Sequence, residues 1–123
     1  MTYLDELRRS TFDAGDEAPG GLIEYTCELF PGEDRELTVQ CYASDAATLE
    51  RDVAPVVEQV LGRLDALLAV PPVTDADLAQ VILWNGRLGL HYWSRGVNNE
   101  FTAVFEPDGE GWRYRGFGDV FDG

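Results

Sequence analysis

Cysteine and histidine are the scarce chemical groups of this sequence, which has only Cys27, Cys41 and His91. A general base needs a nucleophile or a substrate proton within hydrogen-bond reach, and a group that orients it. The sequence has no nucleophile elbow and no motif that brings Ser or Cys to His91. In LGLHYWS, His91 shares a side with Gly89 and Trp93, opposite Leu88, Leu90 and Tyr92. That spacing makes it a strand residue before it is anything else. Two cysteines and one histidine also fall short of the four ligands of structural zinc. Cys27 and Cys41 lie on the inward side of neighbouring alternating segments, close to opposite each other if the hairpin is centred on Asp34. A cross-strand disulfide is geometrically open, but reduced, core-packed thiols are the expected state in a cytoplasmic chain.

Carboxylates are plentiful enough to pair by chance. Asp75 with Asp77, Asp108 with Glu110, and Asp119 with Asp122 are the closest approaches to hard-cation ligands, and none has the spacing of an EF-hand loop. There is no loop ending in GK[ST] and no G-x-G-x-x-G between a strand and a helix. The glycine-rich tail RGFGDVFDG is followed by no helix whose N-terminus would hold an anion. The sequence therefore assigns no catalytic residue, no metal and no cofactor.

Charge is the strongest signal. The 123 residues carry 23 Asp and Glu against nine basic residues, a net of −14, and every basic residue is Arg. Such a charge repels phosphate backbones and anionic membrane surfaces, and it attracts basic proteins. The absence of Lys fits a salt-adapted or GC-rich host. The first 62 residues hold 14 acids and four Arg, the remainder nine acids and five Arg, so a basic partner is expected at the first half. No apolar run approaches the roughly 20 residues of a membrane span, and MTYLDELRRS lacks a secretory apolar region. The expectation is a soluble, cytoplasmic, single domain over 1–123, with 1–20 loosely held.

The elements that must position these groups follow from hydrophobic spacing. Residues 3–12 read as a short helix with Leu4 and Leu7 on one side, and DAGDEAPGG reads as loop. Ile23, Tyr25, Cys27 and Leu29 alternate with Glu24, Thr26 and Glu28; Leu37, Val39, Cys41 and Ala43 alternate with Glu36, Thr38 and Gln40. These are two strands joined by PGEDR. Residues 45–70 switch to helical spacing through Leu49, Val53, Val56, Val57, Val60, Leu64, Leu67 and Leu68, with Ser44 or Asp45 as N-cap. Pro55 either kinks this helix or sits in its first turn, and Pro71–Pro72 end it. Thr74 and Asp77 suggest a capped short helix carrying Leu78, Val81 and Ile82. Asn85–Gly86 then caps that helix or turns a hairpin, and the Thr74 signal favours the cap. LGLHYWS, EFTAVFE and WRYRGFG complete a three-stranded meander. The predicted fold is α+β: a mostly antiparallel sheet of about five strands, with the long helix on one face.

On the meander, Arg87, His91, Trp93 and Arg95 share one side, and Arg113 and Arg115 lie opposite Trp112 and Tyr114. Trp, Tyr and Arg are enriched at binding hot spots, although arginines that offset Glu100 and Glu106 on a solvated face would look the same.

Size, charge, the hairpin–helix–meander order and the aromatic half LHYWSRGVNNEFTAVFEPDGEGWRYRGFG give the chain a general resemblance to the immunity proteins of polymorphic toxin systems. That resemblance implies a compact α+β protein with an acidic face and no active site. Type III secretion chaperones share the size, low pI and opening helix, but place three strands before their central helix and finish on a helix. The leading expectation is a non-enzymatic domain that binds a basic partner, such as a nuclease toxin, through Glu24, Glu28, Glu33, Asp34 and Glu36, with Trp93 and Arg95 as a second contact. The rivals are a small enzyme or ligand-binding domain using His91, and an accessory domain whose charge reflects its host.

Overall fold

The computed structural model describes residues 2–32, 35–94 and 99–121. The chain divides into two compact units, Met1–Leu64 and Asp65–Gly123. The first runs through α1 (Tyr3–Arg9), β1 (Asp13–Ala18), β2 (Leu22–Gly32) and β3 (Arg35–Ala43) into a broken helix. Thr2 and Asp5 close a reciprocal capping box that starts α1. Leu7 is buried, and α1 packs on β2.

The alternation of β2 and β3 sends Tyr25, Cys27, Leu29, Leu37, Val39 and Cys41 into the core, where each is buried. The antiparallel register pairs Cys27 with Val39 and Tyr25 with Cys41. The hairpin is thus centred one residue earlier than the sequence suggests, so the two thiols are diagonal neighbours, and both are free. Burial pushes the Cys27 thiol up, against a hydrogen bond from Ser10.

DAGDEA is a strand, not the loop its composition predicts. β1 pairs antiparallel with β2, with a register shift between Ala14 and Glu17. Backbone pairing needs no apolar side chain, and residues 13–17 are exposed.

The predicted long helix is also corrected. Asp45 caps α2 (Ala46–Thr48) by accepting from the Thr48 N–H at 2.7 Å. Leu49–Val53 then widens into a π-helical segment whose end is marked by the Ala54 N–H bonding to the Leu49 carbonyl, five residues back. Pro55 is the cause we assign. It has no N–H to give, and its ring would clash with the carbonyl of a tight α-turn. α3 (Ala54–Gly62) therefore starts afresh with Pro55 in its first turn, and α4 (Leu64–Leu68) follows after Arg63.

The second unit is a meander of β4 (Asp77–Trp84), β5 (Arg87–Ser94), β6 (Asn99–Asp108) and β7 (Gly111–Phe117), each antiparallel to the one before. The predicted short helix is β4. Val81, Ile82 and Leu83 are all buried, so the strand shows no alternation to distinguish it from a helix. Asn85 and Gly86 both take positive φ, 49° and 77°, and join β4 to β5 as a two-residue turn of the type I′ kind. Gly86→Ala is expected to cost about 1 kcal/mol, because a Cβ is disfavoured in the left-handed region, and the shift is read from the urea midpoint. With seven strands among the described residues in place of about five, strands dominate and no helix spans 45–70.

One side of the meander buries Leu88, Leu90, Tyr92, Ala103 and Phe105. Its rings form a chain of contacts: Tyr92 stacks on Phe101 at 5.5 Å, Phe101 meets Phe117 edge-on at 5.4 Å, and Phe117 meets Tyr114 at 5.9 Å. On the other side, the segment after β7 crosses back over the sheet. The Gly118 N–H donates to the Thr102 carbonyl at 2.9 Å, and Asp119 Oδ1 accepts from the Phe121 N–H. Val120 is thereby buried over Gly89, where a Cβ would stand 3.1 Å from both Val120 Cβ and Thr102 Cγ2. Phe121 packs on Trp84, 5.4 Å between ring centroids.

Candidate protein-binding faces

In the first unit, the register that buries the cysteines brings acids together on the opposite side. Cross-strand partners share a face, and Glu24 lies opposite Tyr42, Glu28 opposite Thr38, and Asp13 opposite Thr26. Alternation puts Phe30 and Glu36 on the same side, next to the Leu29–Leu37 pair. Asp13, Glu28 and Glu36 are exposed, Glu24 is half-buried, and Phe30 is 53% exposed. The described side chains of this face include no arginine. Thr26, Thr38, Gln40 and Tyr42 form its centre, with the Gln40 amide donating to the Tyr42 hydroxyl. Burial and the Glu24 charge push the Tyr42 phenol up, and the Gln40 bond opposes them.

Three of the five acids predicted to contact a partner, Glu24, Glu28 and Glu36, are thus on one surface. Glu33 and Asp34 lie outside the described residues, as does Arg95. The remaining predicted contact, Trp93, is 38% exposed on β5, opposite Asp77 of β4 and Glu100 of β6.

His91 is held by its neighbours across the β5–β6 pair. Its Nδ1 lies 2.8 Å from Thr102 Oγ1, and its Nε2 lies 3.6 Å from Glu100 Oε1. A hydroxyl and a carboxylate therefore flank the ring, which fixes its orientation on the sheet. The arginines divide: Arg115 pairs with Glu106 at 3.5 Å, while Arg113 is exposed opposite the same glutamate. Sequence reading missed that the chain itself covers part of this side, through Val120 and Phe121. The available signal was Gly89, a residue without a side chain inside an otherwise bulky strand.

Among the described residues, no group of three or more His, Cys, Asp or Glu is placed to hold a metal ion. No described helix is long and apolar enough to cross a membrane. The arrangement defines an α+β chain with an acidic sheet face. No protein-family model, no curated protein and no solved structure matches it.

Proposed function

We propose that the chain is a non-enzymatic protein-binding domain whose acidic sheet face meets a basic surface on a partner protein, as an immunity-type inhibitor meets a basic toxin such as a nuclease. The observation that carries this reading is the grouping of Asp13, Glu24, Glu28 and Glu36 on one sheet face, with the exposed Phe30 at its end beside Glu28 and Glu36. Carboxylates of one sign raise the encounter rate with a basic cleft, and an exposed aromatic supplies the desolvated contact that charge alone lacks. The net charge of −14 extends the same steering to long range at low salt.

Reversing Glu24, Glu28 and Glu36 together to Arg tests it. A partner captured by the wild-type chain should associate with the variant roughly tenfold more slowly or worse, with a flatter dependence on salt. An unchanged association rate and an unchanged salt slope would remove this face from the interface. Because the three side chains point away from the core, circular dichroism of the variant should match the wild type.

A further inference from the structure

We propose that the exposed edge of β1 is a docking strand, to which an extended segment of the partner with basic residues at alternate positions adds as a further antiparallel or parallel strand. This rests on the acidic-face reading above and specifies how the partner engages that face.

β1 has one strand neighbour, β2, within its unit. Among the described residues, Asp13–Ala18 make no backbone hydrogen bonds outside the β1–β2 pairing. An edge strand directs alternate N–H and C=O groups outward, and on either side of the shift between Ala14 and Glu17 these are a template for another chain. Side chains do not block the approach, since Ala14 and Gly15 separate Asp13 from Asp16 and Glu17. The edge carries three carboxylates and no base. Two such edges repel each other, so β1 disfavours its own copies while attracting a basic strand.

The geometry also states which residues the incoming strand needs. Side chains of a strand alternate between faces, so every second one would stand on the face shared by Asp13, Glu24 and Glu28. Arg or Lys at those positions would lie beside Asp13 and two strand spacings, about 10 Å, from the Glu24 and Glu28 positions. β7 serves as an internal contrast. Among the described residues its only strand neighbour within the unit is β6, but it carries Arg113 and Arg115 and would repel the same segment.

The experiment uses the full chain and two synthetic peptides of equal length and charge. One alternates Arg with Val; in its twin, two central Val residues are replaced by Pro, which removes backbone donors without altering charge. Calorimetry at moderate salt should show the alternating peptide binding about tenfold or more tightly than its twin. Hydrogen exchange should slow at β1, centred on Ala14–Asp16, and stay unchanged at β7. Equal affinity for the two peptides, or exchange at β1 that does not slow, overturns strand addition and leaves the acidic face standing as an electrostatic site. Failure of both peptides to bind overturns the acidic-face reading as well.

Discussion

Phe105→Ala is expected to lower stability by about 3–5 kcal/mol, the range for removing a large aromatic side chain from a rigid core. Phe105 is 1% exposed, faces Leu88 across the β5–β6 pair, and lies 5.5 Å from the Tyr114 ring across the β6–β7 pair. Strands on both sides hold the backbone in place, so the site cannot collapse into the cavity that the ring leaves. Against a total stability of about 5–15 kcal/mol for an ordinary domain, this is a large fraction. All three tryptophans, Trp84, Trp93 and Trp112, lie in the second unit, so their fluorescence during urea unfolding follows that unit directly. A loss below about 1 kcal/mol would mean that the cavity closes and that the packing around β6 is softer than the register implies.

The second large effect is with alkali. Burial pushes the Cys41 thiol from its ordinary 9.0 up to about 12, with Cys27 adding to the shift. The fold therefore favours the neutral thiol, while the unfolded chain ionises it near pH 9. Below that pH the stabilisation is fully present; as pH rises from about 9 towards about 12 it is progressively lost. The slope approaches about 1.4 kcal/mol per pH unit for a single thiol. Cys27 and the phenols of Tyr42 and Tyr92, all pushed up first by burial, act in the same direction. The urea midpoint should hardly change between pH 7 and 8 and then fall steeply above 9. Cys41→Ala should flatten that fall, even though the lost sulfur lowers stability at neutral pH. An identical alkaline slope in wild type and variant would show that Cys41 is not the group responsible.

Legibility in the sequence followed side-chain contrast. β2 and β3 were readable because one face is apolar and the other acidic, so Tyr25, Cys27 and Leu29 stand out against Glu24, Thr26 and Glu28. The same contrast made Glu24, Glu28 and Glu36 readable as candidates for one surface. Register was not, because it depends on how the hairpin loop is divided, and a shift of one residue in its centre moved Cys41 from opposite Cys27 to opposite Tyr25. β4 was hidden by burial on both faces, which removes alternation, and by Thr74 and Asp77, whose spacing imitates a capping box. β1 was hidden for the opposite reason, since an edge strand held by backbone pairing needs no apolar residue. The interruption of the helix was legible at Pro55, but the widened π-turn that accommodates it was not. Nor was the docking of Val120 over Gly89, which depends on the path the chain takes after β7.

Among the described residues, every strand pairing within either unit joins neighbours along the chain: β1 to β2, β2 to β3, β4 to β5, β5 to β6 and β6 to β7. The consequence concerns time. A pairing between consecutive strands closes only a short loop, so little chain entropy is lost before the first contacts form. Hairpins of this kind assemble in about 1–10 μs, whereas β-rich domains held by distant pairings take milliseconds to seconds. Each unit can therefore zip outward from a tight turn, such as the two-residue Asn85–Gly86 or Gly109–Glu110 in the second, without waiting for remote parts of the sequence to meet. A chain whose acidic edge repels its own copies, and whose sheets form from adjacent segments, spends little time in the incompletely paired states from which β-rich proteins aggregate.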